Sequence, residues 1–136
     1  MTPIRSGSCA CGDVRFRVEG AVRDRCYCHC RSCRRAAGAP FVAWGTVDLG
    51  SFALTGKMSV IASSEHVTRG FCGRCGTTLT YRNSLRAGEI DFTLASLDDP
   101  NALPPETHIW VRDKLAWVTI DDGLPQYETV AGDPDP

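Results

Sequence analysis

The sequence predicts a mainly β protein with only a few short helices. Its apolar stretches are short and end at glycine, proline or aspartate, a spacing typical of strands. Residues 14–18 alternate strictly between apolar side chains and arginine, as in a strand with one buried face. Because a chain of 136 residues suits one domain, we predict a single domain over residues 1–130 and a frayed acidic tail over residues 131–136.

The remaining elements follow in chain order from the same signals. A second extended segment covers residues 22–30, and residues 32–37 form one helical turn that residues 38–40 end. Near the C-terminus, residues 108–111 and 115–120 are predicted to pair as a hairpin. Between these regions, strands are predicted at residues 41–47, 52–54, 58–62, 67–71, 76–81 and 89–94.

Composition and charge limit the possible partners and locations. The net charge of -1 does not favour nucleic acid or an anionic membrane as a partner. No apolar run reaches the roughly 20 residues that span a bilayer, and the first seven residues lack the apolar segment of a signal peptide. We therefore predict a cytoplasmic protein, in which thiols stay reduced.

Seven of the eight cysteines lie in three short motifs, which we call knuckles. Zinc is the expected metal, because thiolates are soft ligands and Zn²⁺ accepts four of them tetrahedrally without redox chemistry. A thioredoxin-type redox pair would need a βαβ context, which this chain lacks. The knuckles are Cys9-Ala10-Cys11, Cys28-His29-Cys30-Arg31-Ser32-Cys33 and Cys72-Gly73-Arg74-Cys75.

Spacing alone leaves the pairing of the knuckles open. The third knuckle supplies two ligands and needs two more, which either Cys9 and Cys11 or Cys30 and Cys33 would provide. The seven knuckle cysteines divide into a closed set of four and an open set of three. A closed set of four is structural, whereas three ligands leave a coordination position for water or substrate.

The three knuckles lie within longer segments, which are residues 7–16, 28–35 and 71–77. Together these segments resemble the glutathione-dependent formaldehyde-activating family, whose named activity is S-(hydroxymethyl)glutathione synthase. Residues 105–110 are also similar to that family. Centromere protein V carries a similar domain. The resemblance covers residues 6–127 and implies a β-tent-type zinc fold, shared with methionine sulfoxide reductase B.

The resemblance also implies two zinc ions per chain and their ligands. In the family, the first and last knuckles hold a structural zinc, and the central knuckle holds a second, exposed zinc that is the proposed catalytic one. Carried over to this sequence, the structural ligands are Cys9, Cys11, Cys72 and Cys75, and the second set is Cys28, Cys30 and Cys33.

The enzyme hypothesis is a carbon–sulfur lyase-type reaction that joins a small aldehyde such as formaldehyde to a thiol such as glutathione. Zinc would hold the thiol as a thiolate. Arg31, Arg34 and Arg35 are predicted to bind the carboxylates of that thiol, a task suited to the planar guanidinium. The alternative role of these arginines is to balance the thiolate charge. The alternative to an enzyme is a non-enzymatic zinc module that binds a partner or a thiol ligand.

The remaining candidates are given structural roles. Cys26 is predicted to be a buried thiol and not a ligand, because an extended chain places it about 13 Å from Cys30. His29 points away from Cys28 by strand parity, so a hydrogen-bonding role is predicted. His66 is predicted to lie on the surface, His108 to be a satisfied structural group, and the tryptophans Trp44, Trp110 and Trp117 to lie in the core.

Overall fold

The computed structural model describes residues 2–131 and is built mainly from strands. The predicted tail therefore lies outside the described residues, apart from residue 131. Within the described range the elements are β1 (Ile4–Ser8), β2 (Arg15–Glu19), β3 (Arg23–Cys28), α1 (Arg31–Ala37), β4 (Val42–Asp48), β5 (Phe52–Thr55), β6 (Met58–Ala62), β7 (Val67–Cys72), β8 (Thr78–Asn83), β9 (Glu89–Thr93) and β10 (Thr107–Ile109). Short 3-10 helices lie at Leu49–Ser51, Ser84–Arg86, Leu94–Ser96, Pro100–Ala102 and Val111–Asp113.

The strands form two sheets. The smaller sheet has the order β1-β2-β5, and the larger sheet has the order β10-β3-β4-β9-β8-β7-β6. All strand pairs are antiparallel except β10 with β3, which are parallel. The mainly β prediction is confirmed.

The strand at residues 14–18 shows why local pattern predicted the fold. In β2 the buried and exposed positions alternate, so Phe16 and Val18 are buried while the arginines between them face solvent. The Phe16 ring lies 5.5 Å from that of Phe52 and 5.6 Å from that of Phe92, so β2 joins the small sheet to the large one. Aromatic side chains bury large apolar areas, so they contribute strongly to the stability of a small core.

The helical turn after the central knuckle is also confirmed. The helix α1 ends where Gly38 adopts a left-handed conformation, with φ of 62°. The backbone N–H groups of Gly38 and Ala39 then donate to the carbonyl oxygen of Arg34 at 2.8 and 3.2 Å. Such a cap satisfies carbonyl groups that the helix would otherwise leave unpaired.

The predicted C-terminal hairpin is wrong. Strand β10 instead pairs in parallel with β3, with His108 opposite Tyr27, and His108 forms a second, parallel bridge with Gln126. Residues 115–120 contain no strand. The ammonium group of Lys114 donates to the carbonyl oxygens of Leu115 and Val118 at 3.2 and 2.6 Å, which holds this apolar stretch in a turn.

Two further differences concern the N-terminus and the tryptophans. Strand β1 was not predicted, because its sequence lacks an apolar alternation. Trp44 is buried as predicted, but Trp117 is 73% exposed, so the core prediction for Trp117 is wrong. None of the helices within residues 2–131 has the length and apolarity needed to cross a membrane.

Candidate metal centres

The structure brings together the cysteines of the first and third knuckles. We call this group cluster 1. The sulfur atoms of Cys9 and Cys11 are 3.6 Å apart, and those of Cys11 and Cys72 are 3.7 Å apart. Four sulfurs placed tetrahedrally around zinc at 2.3 Å would be about 3.8 Å from one another. The sulfurs in cluster 1 all lie within 4.8 Å of one another, and the group consists of Cys9, Cys11, Cys72 and Cys75.

Two backbone turns shape cluster 1. The N–H of Val14 donates to the Cys9 sulfur at 3.3 Å, and the N–H of Cys75 donates to the Cys72 sulfur at 3.4 Å. Gly76 closes the third knuckle with φ of 82°, a conformation that favours glycine. Backbone donors aimed at sulfur stabilise the thiolate form that a metal requires.

Thr77 ties the two knuckles of cluster 1 to each other. Its hydroxyl oxygen accepts from the backbone N–H of Ala10 at 3.0 Å and lies 3.2 Å from the Cys75 sulfur. Hydrogen bonds from the side chain and backbone of Thr77 lower the pKa of the Cys75 thiol to about 5. Cys75 is therefore the sulfur of cluster 1 that Thr77 holds as a thiolate near neutral pH.

The cysteines of the central knuckle form a second, separate group. We call it cluster 2; the sulfurs of Cys28, Cys30 and Cys33 all lie within 4.8 Å of one another. Cys28 ends β3, and Cys33 lies in the first turn of α1. The sulfur of Cys30 caps this helix by accepting from the N–H of Cys33 at 3.3 Å. A strand end and a helix start therefore hold the three sulfurs together.

Hydrogen bonding within cluster 2 concentrates negative charge on one sulfur. Contacts with the sulfurs of Cys28 and Cys33 lower the pKa of the Cys30 thiol, whereas contacts with the sulfurs of Cys30 and Cys33 raise the pKa of the Cys28 thiol. Cys28 and Cys33 are buried, whereas Cys30 is only partly buried. The sulfur that ionises first is therefore also the most accessible one in the cluster.

Arg69 contacts cluster 2 from strand β7. Its Nη2 atom donates to the Cys33 sulfur at 3.5 Å and to the Ser32 hydroxyl at 3.2 Å. Nothing in the local sequence pattern around Arg69 indicated this contact. Its position depends on the pairing of β7 with β8, which sets Arg69 opposite Tyr81.

Cys26 does not belong to either group, although it lies on β3 two residues before Cys28. It packs instead with Trp44 and Val42 in a small apolar cluster. Burial raises the pKa of the Cys26 thiol to about 12. This environment fits a protonated core thiol. All eight cysteines are free of disulfides.

The histidines of the sequence have different environments. His66 is exposed, as predicted, and its Nδ1 lies 3.1 Å from the Ser84 hydroxyl. His29 and His108 are both buried. The Nε2 atom of His108 lies 2.7 Å from a carboxylate oxygen of Asp122, a residue that no motif in the sequence indicated. Burial, with His108 the next cause, lowers the pKa of His29 to about 4.

The three arginines predicted to bind substrate lie on α1, the helix that carries Cys33. Arg31 and Arg35 are exposed, and Arg34 is partly buried. The Nε atom of Arg34 donates to the carbonyl oxygen of His29 at 3.3 Å. Arg34 and Arg35 also line a shallow surface depression of about 250 Å³, whose other walls include Pro40, Leu115 and Trp117.

Residues 4–113 match the model of the family described as glutathione-dependent formaldehyde-activating enzyme. The chain belongs to this family. A putative glutathione-dependent formaldehyde-activating enzyme of Halomonas elongata is 33% identical over 151 residues, covering 97% of this chain and 90% of the relative.

Two further proteins are similar to this chain, one over part of its sequence and one in its fold. A protein of Schizosaccharomyces pombe named as an uncharacterized lyase is 30% identical over 79 residues, which are 58% of this chain and 58% of that protein. The crystal structure of a Rhodobacter sphaeroides protein has a TM-score of 0.58 and 19% identity, and the match covers 90% of this chain and 98% of that one. At that identity the likeness concerns the fold alone.

Proposed function

We propose that this chain is a zinc-dependent, carbon–sulfur lyase-like enzyme that adds formaldehyde or another small aldehyde to a thiol such as glutathione. The observation that carries the proposal is cluster 2, in which three cysteine sulfurs meet without a fourth ligand from the part of the chain that the structure describes. Membership of a family named for this activity supports it, as does the name of the Halomonas elongata relative.

We assign one zinc to each cluster, with different tasks. Cluster 1 has four sulfurs, and the Cys9–Cys11 and Cys11–Cys72 sulfur–sulfur distances of 3.6 and 3.7 Å fit a tetrahedral zinc. A closed site of this kind is structural, because the free energy of metal binding is then folding free energy. Cluster 2 supplies only three sulfurs, so it is the site with room for a substrate.

The proposed reaction forms one C–S bond, and the thiol proton ends on the former carbonyl oxygen of the aldehyde. When bound, Zn²⁺ supplies a Lewis-acidic position that favours the thiolate form of a thiol near neutral pH. Cys28, Cys30 and Cys33 hold that position. Because α1 begins directly after Cys30, its arginines lie next to cluster 2 and extend toward solvent.

The arginines of α1 are proposed to orient the thiol. Arg34 is held in place by its hydrogen bond to the carbonyl oxygen of His29. Arg34 and Arg35 both line the surface depression that Trp117 also borders. A guanidinium pairs well with a carboxylate through two parallel hydrogen bonds. These two residues, with Arg31, are therefore proposed to bind the carboxylates of glutathione or a similar thiol.

The eight free cysteines also bear on location and partners. Metal-binding thiols stay reduced in the cytoplasm, and we place the protein there. The net charge of -1 gives no reason to add nucleic acid or a membrane to its partners.

The test is a rate measurement combined with metal counting. Formaldehyde adds to glutathione without a catalyst. Exchange between free glutathione and its formaldehyde adduct is therefore followed by NMR with and without the protein. We expect two zinc ions per chain and an exchange rate that rises in proportion to protein concentration. The Cys30→Ser variant should lose the acceleration. A wild-type protein with two zinc ions and no acceleration would favour the non-enzymatic module that binds a thiol or another partner.

A further inference from the structure

Arg69 is a buried cation without a carboxylate partner among the described residues. It is only 4% exposed. Its Nε donates to the Ser63 hydroxyl at 3.1 Å, and its Nη2 donates to the Ser32 hydroxyl at 3.2 Å. The guanidinium also lies 5.0 Å from the centre of the Tyr81 ring. Hydroxyl groups and a ring solvate the cation, but none of them carries a compensating negative charge.

The compensating charge comes from cluster 2. A buried cation is costly unless an anion lies close by, and the nearest candidate is the Cys33 sulfur, 3.5 Å from Nη2. Three thiolates around one divalent zinc leave one net negative charge. The single positive charge of Arg69 therefore balances the single negative charge that a loaded cluster 2 would carry.

One N–H-bearing nitrogen of Arg69 remains unused. Among residues 2–131, the buried side-chain nitrogen or oxygen atoms without a hydrogen-bond partner are Nη1 of Arg69 and Nδ1 of His29. Arg69 contacts a cysteine of cluster 2, and His29 lies between two of them in the sequence. An arginine always carries its protons, so Nη1 is a donor that lacks an acceptor. Such a donor is expected to gain one from what the site binds.

We infer that Arg69 makes cluster 2 a receptor for a small anion. Its Nη2 donates to the Cys33 sulfur, and its Nη1, which has no partner among residues 2–131, donates to an anionic ligand at the position that the three sulfurs leave open. The ligand class is a thiolate or another small anion with a lone-pair acceptor. The inference rests on the proposed metal at cluster 2 and is independent of the aldehyde reaction.

The test uses the full chain loaded with Co²⁺, whose visible absorption reports both thiolate ligation and added ligands. Azide serves as the anionic probe, and imidazole serves as a neutral probe of the same open position. We expect Arg69→Met to weaken azide binding about tenfold or more, the scale of losing a hydrogen bond to a charged group, and to leave imidazole binding nearly unchanged. Equal losses for both probes, or no loss for azide, would overturn the inference.

Two additional variants keep the test decisive. Arg82→Met is the control, because Arg82 is exposed and its Nη2 donates to the carbonyl oxygen of Ala87 at 3.4 Å, outside both clusters; it should bind azide as the wild type does. If Arg69→Met does not retain Co²⁺ at cluster 2, Arg69→Lys replaces it, since lysine keeps the charge and loses the fork of donors. Azide affinity in Arg69→Lys is expected to fall, and a wild-type affinity would overturn the inference. A lack of aldehyde–thiol acceleration would leave the azide result standing.

Discussion

The Nε2 atom of His29 lies 2.9 Å from the Nδ1 atom of His108, and both rings are buried. The far side of the His108 ring faces Asp122, at 2.7 Å between Nε2 and the carboxylate. The Asp122 carboxylate can only accept, so the Nε2 atom of His108 carries a proton. In a neutral His108 the Nδ1 atom is then unprotonated, and it accepts from the Nε2–H group of His29. This chain links the residue between two cluster 2 cysteines to the C-terminal segment of the protein.

We predict that His29 stays neutral, with its proton on Nε2, down to about pH 4. Burial, with His108 next, holds the pKa of His29 below that of an unfolded histidine. The unfolded chain therefore binds more protons than the folded one between the two pKa values, and stability falls as the pH drops through that range. Nitrogen-15 NMR of the His29 imidazole measures both the tautomer and the pKa. A His29 that titrates in the ordinary range of histidine would contradict the prediction.

Loss of a cluster 1 ligand should unfold the domain, whereas loss of a cluster 2 ligand should not. We predict that Cys72→Ser abolishes the cooperative melting transition, because structural zinc in small domains contributes on the order of 10 kcal/mol. Cys33→Ser, the same substitution in cluster 2, should lose one zinc ion and still melt cooperatively. Calorimetry with metal analysis of both variants measures this. Equal melting temperatures in the two variants would count against a structural role for cluster 1.

Cys26 is predicted not to bind metal. Cys26→Ala should keep both zinc ions, while Cys30→Ala should keep one, because only Cys30 belongs to cluster 2. The raised pKa of Cys26, about 12, also predicts a thiol that alkylating reagents leave unmodified near pH 8 while the protein is folded. Metal analysis and mass spectrometry after alkylation provide the measurements. If Cys26→Ala released the second zinc as readily as Cys30→Ala does, a four-sulfur site would replace the open one.

Strands that the local sequence pattern specifies could be predicted, whereas strands that depend on a partner distant in the sequence could not. In β2 the alternation of burial follows the sequence directly. Residues 115–120 are equally apolar, but the Lys114 side chain binds carbonyl oxygens of that stretch and Trp117 remains 73% exposed. A strand needs a partner with unpaired backbone groups, and for β10 that partner is β3 on one side. Sequence pattern does not specify which edge is available.

In the candidate site too, local features could be predicted from the sequence and contacts between distant residues could not. Cysteine spacing predicted the three knuckles, and the family resemblance supplied the pairing that spacing left open. The contact of Arg69 with Cys33 joins residues 36 positions apart, and that of His108 with Asp122 joins residues 14 positions apart. Neither pair forms a motif, since their approach depends on strand register and on the path of the C-terminal segment. Residues that tune a site are therefore harder to predict than the residues that form it.

Gly7 is predicted to be essential for packing the small sheet against its neighbours. A Cβ atom at Gly7 would lie 2.3 Å from the Phe16 ring and 2.6 Å from the backbone oxygen of Ser96. Gly7→Ala should destabilise the protein by about 1 to 3 kcal/mol or more, the usual cost of overpacking. Gly50→Ala is the control, because a Cβ there meets nothing within 4 Å. Urea unfolding of the two variants measures the difference, and equal midpoints would contradict the packing argument.

The last prediction concerns the surface beside cluster 2. Arg34, Arg35 and the exposed ring of Trp117 line the same surface depression. Arg34 also donates a hydrogen bond to the carbonyl oxygen of His29. A thiol whose carboxylate reaches this surface should therefore change Trp117 fluorescence. We predict that Arg35→Ala weakens glutathione binding to the zinc-loaded protein by about 1 to 3 kcal/mol, the usual scale for a hydrogen bond to a charged group.

The control for this prediction separates charge from metal binding. Arg82→Ala removes an exposed arginine whose Nη2 donates to the carbonyl oxygen of Ala87, away from α1. It should leave glutathione affinity unchanged, and 2-mercaptoethanol, which has no carboxylate, should bind the wild type and Arg35→Ala equally well. Isothermal titration with both thiols measures these affinities. Similar losses of glutathione affinity in Arg35→Ala and Arg82→Ala would indicate general electrostatic attraction instead of a carboxylate site on α1.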